Sequence, residues 1–426
     1  MSRQPAAPPE STRLVSGPFL VLIGAALFSA LSFASTLPMV ARYVTSELGG
    51  GDLEVGVAIG VFSVSAVVVR PFIGRLGDER GRRFLILGGT LSTSVVLALH
   101  VLAINYPIML VVRLLMGAVQ GGFFVGTVTL VNDLAPENRR GEAASYFSVA
   151  IYGGMAFGPW IGELATQRFD FVGGFLIAAA LMLVAAGISW FLPTFVPVAA
   201  TPTVQAVRRP GRMQLADEPP RRHLIYRPAI WPGVILAMGL ITFPAMQGFM
   251  PKIMDERSLG EAGPIFATYG ILVLVLRLLA RRMPDTLGTA KTAATALGGA
   301  SAGMLLMSLF VSRSGFFVGT AVLAIGGSLL YPALMVAAVE GVPPNERAQA
   351  MGTFTMFFEL SGGIGAPILG MVAWLTGTTV AAFVGGAVFA AAGLPLLVIW
   401  RAGRYKAERL EQGSPGPSAF RLVPAD

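Results

Sequence analysis

The feature that most constrains this chain is a succession of long apolar runs. Twelve stretches of roughly 20 residues, the length at which an α-helix crosses the hydrocarbon of a bilayer, follow one another with short polar breaks and one longer break after the sixth. They fall at approximately 18 to 40, 55 to 73, 84 to 103, 107 to 131, 144 to 164, 172 to 194, 229 to 251, 263 to 280, 292 to 311, 315 to 338, 349 to 374 and 378 to 400. In lipid every backbone polar group must be satisfied internally, so such runs fold as helices. The expected fold is all-α and integral to the membrane. Composition agrees, because 54% of the 426 residues are hydrophobic and only 13% charged, where a soluble domain carries roughly 25% charge. With no Cys and two His, neither a disulfide scaffold nor a Cys- or His-based metal centre is expected. No cofactor is called for.

Charge placement sets the orientation. If both termini are cytoplasmic, 23 of the 31 Lys and Arg fall in the two tails and the inner loops. Arg42, Arg168, Lys252, Arg257 and Arg313 fall outside, and Arg70, Arg113 and Arg277 lie within or at the ends of spans. An inside excess of this size is what membrane insertion requires. The net charge of +8 is therefore a topology signal and not a mark of nucleic-acid binding.

The chain divides in the middle. The Pro- and Arg-rich stretch 197–228 reads as a flexible cytoplasmic linker, and the polar segments 1–17 and 401–426 as cytoplasmic tails. This leaves a six-helix bundle at 18–196 and another at 229–400. The halves repeat: an offset of 207 carries Arg70 to Arg277, Asp78 to Asp285, Gly81 to Gly288, Asp133 to Glu340, Pro136 to Pro343, Arg140 to Arg347 and Gly158 to Gly365. One offset across separate loops and a helix implies two bundles in the same orientation, related by an axis along the membrane normal. The second copy, Pro284-Asp285-Thr286-Leu287-Gly288, lacks the Arg pair of the first.

That first copy is Gly74-Arg75-Leu76-Gly77-Asp78-Glu79-Arg80-Gly81-Arg82-Arg83, which reads as a charged loop between two spans. It resembles the loop after the second helix of the major facilitator superfamily of secondary transporters. Gly74, Asp78, Gly81, Arg82 and Arg83 stand in its signature positions, and Glu79 departs from it. Three further stretches carry the likeness. Arg113-Leu114-Leu115-Met116-Gly117, in the fourth span, is similar to a superfamily segment implicated in proton coupling. Gly154, Gly158, Pro159 and Gly162, in the fifth, resemble its antiporter signature, with Glu163 where a glycine is usual. The run from Asp133 to Gly141 resembles its next inner loop. The likeness implies that Asp133, Asp78 and Arg82 form a charge relay, and that Asp78 caps the eleventh helix and holds the cytoplasmic side shut. It points to the twelve-helix drug:proton antiporter branch, in a bacterial-type inner membrane.

Two charges inside the spans are candidates for the chemistry. Arg113 would be costly in hydrocarbon unless it faces water, an anion or a partner. Glu359 lies about ten residues into its span, on the order of 15 Å from the cytoplasmic surface, near the midplane where transporter sites gather at the repeat interface. A carboxyl there can hold a proton or a cationic substrate in turn. Tyr152 is its repeat position, and Gln120, Gln247, Phe124 and Phe358 are candidate lining residues. The expected function is proton-coupled export of small amphipathic molecules by a monomeric permease with small-molecule, proton and lipid partners. A proton-coupled importer of a sugar or other metabolite is the first alternative. A non-transporting sensor or membrane-embedded enzyme is the second, although neither repeated aspartates at a membrane face nor a His beside an acid is present for lipid chemistry.

Overall fold

A computed structural model describes residues 14–136, 139–194, 225–279, 287–342 and 346–413. Ten helices among them are long and apolar enough to cross a membrane. One of these, Arg140–Ser189, is broken at Phe169 and Asp170 into two arms, and the shorter apolar helix Gly263–Leu279 completes twelve spans. In chain order they are α1 (Gly17–Ser46), α2 (Asp52–Arg80), α3 (Arg82–Leu99), α4 (Tyr106–Leu134), α5 and α6 (140–168 and 171–189), α7 (Ile230–Leu240 continued by Thr242–Glu256), α8 (Gly263–Leu279), α9 (Thr289–Leu309), α10 (Arg313–Val339), α11 (Arg347–Thr376) and α12 (Val380–Gly413). Large apolar side chains such as Val95, Leu183, Val388 and Val398 are exposed on their outer faces, as lipid contact demands.

Two boundaries differ from the sequence expectation. The charged stretch 74–83 is not a loop: α2 continues through Arg80, α3 starts at Arg82, and only Gly81 lies between. Gly81 has φ 87° and ψ 161°, a region that essentially only glycine occupies, so one residue makes the reversal. Helix α12 runs to Gly413 because Lys406-Ala407-Glu408-Arg409-Leu410-Glu411 are all good helix formers and contain no breaker. The residues 1–13, 195–224 and 414–426, which hold most of the expected tails and linker, lie outside the described residues, as do 280–286 with Asp285.

The 207-residue repeat extends to the turns. Gly288, the counterpart of Gly81, has φ 79° and opens α9. Asn105 caps α4 through Ile108 N, and its counterpart Ser312 caps α10 through Gly315 N, each satisfying an otherwise orphan amide. The α5–α6 turn has positive φ at Asp170 and the α11–α12 turn at its counterpart Gly377.

Within the first half, α5 lies against α1 along Gly154, Gly158 and Gly162. A Cβ on Gly158 would come within 2.7 Å of both Ala34 Cβ and the Leu31 carbonyl, and one on Gly162 within 3.0 Å of Ser35 Cα. The glycine spacing therefore builds a smooth face for helix contact. The halves meet along α2 against α11 and α5 against α8, again as repeat counterparts. A Cβ on Gly363 would lie 3.0 Å from Ser63 Cβ, and the counterpart of that pair, Gly270 with Ala156, is closer still. Gly56 approaches Gly370, and Gly263 approaches Glu163 and Trp160.

The apolar core has a forked shape. At the end away from the termini one cluster runs through both halves, from Val40, Met116 and Phe175 to Phe249, Met304 and Phe383. At the end that carries the termini it divides. One cluster (Phe19, Ile86, Phe123, Leu130) belongs to the first half, and another (Ile235, Leu297, Leu334, Phe354) to the second.

The joined end is also tied by charge. Arg42 on α1 bonds Asp255 on α7 at 2.8 Å and Glu163 on α5 at 2.7 Å. Lys252 on α7 meets Asp52 on α2 at 2.6 Å, and the Thr379 hydroxyl donates to the same carboxylate. Each tie except Arg42–Glu163 links one half to the other.

Candidate functional site

The site lies where α2, α5, α8 and α11 meet. On α2, Arg70 donates from Nη2 to Glu359 Oε1 on α11 at 3.3 Å, with both side chains more than four-fifths buried. On α8, the Arg277 guanidinium sits 3.7 Å from the centroid of the Tyr152 ring on α5. Arg70 and Arg277 are repeat counterparts, and so are Glu359 and Tyr152. The two contacts are thus one contact made twice about the pseudo-axis, with an acid in one copy and a phenol ring in the other. The consequence is electrostatic asymmetry. Arg70 has a carboxylate, whereas Nε and Nη2 of Arg277 are buried without a hydrogen-bond partner. A ring face offers a desolvated cation roughly 2 kcal/mol, less than the several kcal/mol that removing it from water costs.

Aromatic side chains surround both arginines. Phe124 on α4 lies 5.9 Å from the Arg70 guanidinium. Tyr331 on α10 has ring neighbours in Tyr152 at 6.5 Å, Phe354 at 5.4 Å and Phe358 at 6.3 Å, and it stands within electrostatic reach of Arg277 and Arg70. The Tyr269 hydroxyl occupies the space that a side chain at Gly327 would fill. Gln120, one helical turn before Phe124 and hence on the same face, keeps its Oε1 buried without a partner.

Glu359, Tyr152, Phe124, Phe358 and Gln120 are therefore brought together, and Arg113 and Gln247 are not. Arg113 is fully buried, donates from Nε to the Ala58 carbonyl at 2.9 Å and lies 5.2 Å over Phe62. Ala58 is twelve residues from Arg70 along α2, about 18 Å. Gln247 is buried with both amide atoms unpartnered, and the adjacent Gly248 packs on Ile59 and Val55, towards the tied end. Phe123 and Phe357 pack against glycines, Gly89 and Gly233 respectively.

Near the termini, Arg82 approaches Asp133 at 3.6 Å. Arg83 bonds the Trp190 carbonyl at 2.8 Å and Thr194 at 2.7 Å, fastening α3 to the end of α6. The side chain of Asp78 lies outside the described residues. Among those described, no group of three His, Asp or Glu could hold a metal ion.

Sequence reasoning noted Arg70 and Arg277 only as repeat markers, and it passed over Tyr269 and Tyr331. The signal for the arginines was present: a charge inside a span, retained in both copies, is expensive twice. The tyrosines carried no comparable mark.

Paired helical halves with charges at their midline define a membrane transporter, and sequence comparison agrees. The profile of the Major Facilitator Superfamily matches residues 22–260 and 245–423. The chain belongs to the major facilitator superfamily. It is 28% identical over 362 residues to an uncharacterised MFS-type transporter of Salmonella typhimurium, covering 83% of this chain and 89% of that one. Its fold is similar to that of the nucleoside transporter NupG, with a TM-score of 0.69, 14% identity and coverage of 91% and 99% of the two chains. It is similar also to a POT family transporter in complex with a thioalcohol-conjugated peptide, with a TM-score of 0.71, 15% identity and coverage of 91% and 96%.

Proposed function

We propose that this chain is a proton-driven exporter of small amphipathic molecules, working by alternating access. The observation that carries the reading is the ion pair between Arg70 and Glu359, the titratable acid that joins the two halves at the fork of the core. A proton on Glu359 removes the charge that Arg70 holds, so protonation and the relative position of the halves become linked equilibria. The joined, ion-paired end is the closed side of this conformation, and the divided end gives access to the site. With the termini cytoplasmic, as the positive-inside distribution requires, substrate enters from the cytoplasm. Opening the other way breaks the ties of Arg42 to Asp255 and of Lys252 to Asp52. Asp78, Arg82 and Asp133 then act as the cytoplasmic latch. Gly154, Gly158 and Gly162, packed on α1, resemble with Pro159 the antiporter signature and favour export. The setting is a bacterial-type inner membrane, and the working unit a monomer.

The test is proton flux in proteoliposomes loaded with a pH-sensitive dye and challenged with a panel of amphipathic compounds. Wild type is expected to move protons against the flow of at least one compound, and Glu359→Gln to lose that coupling at least tenfold. Equal coupled flux in wild type and Glu359→Gln would sink the reading. A second reading, proton-coupled uptake of a polar metabolite, is favoured by the unpartnered amide oxygen of Gln120, which a hydrogen-bonding substrate would satisfy. Protons and substrate moving in the same direction would establish it.

A further inference from the structure

We propose that the substrate is an amphipathic anion, and that Arg277 grips its acidic group. The inference deepens the transport reading and rests on it for the location of the site. Arg70 and Arg277 put two guanidinium groups where the halves meet. Among the described residues the one carboxylate paired with either is Glu359, and it belongs to Arg70. The facing groups on the surrounding helices are phenols and rings: Tyr152 on α5, Tyr269 on α8 itself, Tyr331 on α10 and Phe358 on α11. The site therefore holds one positive charge in excess, which repels a cation and attracts an anion.

The atoms left over specify the ligand further. Nε and Nη2 of Arg277 lie on the same edge of the guanidinium, the edge that takes two oxygens of one carboxylate or phosphate side-on. Both are buried and unpartnered, while the ring of Tyr152 packs against the guanidinium without offering this edge an acceptor. A buried donor pair without an acceptor is rare in a folded protein unless a ligand supplies one. The neighbouring rings of Tyr152, Tyr331, Phe354 and Phe358 suit an apolar or aromatic body behind the acidic group.

The experiment is thermal unfolding of the purified full chain in nanodiscs with three matched sets of aryl-alkyl compounds: carboxylates and phosphates, the corresponding alcohols, and the corresponding amines. Members of the acidic set are expected to raise Tm in wild type, with at least a tenfold weaker midpoint in Arg277→Gln and an intermediate one in Arg277→Lys, which keeps the charge without the fork. Without ligand, Arg277→Gln is expected to raise Tm, because it removes an uncompensated charge, whereas Arg70→Gln lowers it. The proposal is overturned if amines or alcohols stabilise wild type as well as the acids do, if no acid stabilises it, or if Arg277→Gln binds the acids with the wild-type midpoint. It is overturned equally if Arg277→Gln without ligand loses as much Tm as Arg70→Gln, which would make the arginine a structural strut. Proton flux with the bound acid in proteoliposomes separates the two readings: binding that depends on Arg277 without proton movement refutes the coupling and leaves the anion site standing.

Discussion

Arg70 and Glu359 are each buried and each the other's charge partner, so removing one exposes the second to an environment that solvates ions poorly. Arg70→Gln is expected to destabilise the protein by about 3–5 kcal/mol, the usual cost of leaving a buried charge uncompensated. The double variant Arg70→Gln with Glu359→Gln should recover part of that loss. Thermal unfolding of the four proteins in one cycle checks it, and additive losses would mean that the 3.3 Å contact carries no coupling. At this scale the sequence was half legible. The position of Glu359, some ten residues into an apolar span, marks it as a candidate, and the fold places it at the interface of the halves. Its partner lies 289 residues away in the chain, and no local pattern could name it. Arg277 was visible as the counterpart of Arg70, but the lack of an acid beside it is a fact of three dimensions. Arg113, marked by its depth in a span, lies apart from the Arg70 pair, on the Ala58 carbonyl and the Phe62 ring, with Nη2 buried and unpartnered.

Among the helices, the reversals depend on single residues. Gly81 holds φ 87° and ψ 161°, so Gly81→Ala is expected to cost about 1–3 kcal/mol through backbone strain alone. A melting temperature unchanged from wild type would contradict it. Asp170 occupies the glycine-like region without being glycine, at φ 56° and ψ −173°, while its counterpart is Gly377. Asp170→Gly is therefore expected to raise stability by about 1 kcal/mol or more, read again as a rise in Tm. Gly158→Val should act in the opposite sense, because the added carbons meet Ala34 and the Leu31 carbonyl, and it should show as a lower Tm and a lower yield of folded protein. Span existence was legible throughout, since hydrocarbon thickness fixes helix length. Span ends were less so. The charged stretch after α2 reads as a loop because it is polar, yet helix ends protruding into water tolerate charge, and the arginines there continue the helix. Helix α12 outlasts its apolar run for the same reason.

For the whole molecule, the 207-residue offset relates not only the halves but the contacts between them, from the glycine approaches of α2 with α11 and α5 with α8 to the two central arginines. The duplication was readable from punctuation residues alone. The conformational state was not, because it resides in which apolar residues share a cluster and in pairs such as Asp52 with Lys252, 200 residues apart. On the proposed alternating-access reading, a joined core and ion pairs at one end with a divided core at the other are one extreme of a rocking motion, with Glu359 and Arg70 at its fulcrum. The chain contains no cysteine, so spin labels can be placed without background on Ser46→Cys and Arg257→Cys, exposed positions on opposite halves at the tied end. The deciding measurement is the distance distribution between them by pulsed electron spin resonance, at one fixed pH, in wild type and in Glu359→Gln. The account predicts that the variant, which carries a permanent stand-in for the protonated acid, shifts population towards longer distances as the tied end opens. Identical distributions in the two proteins would contradict it.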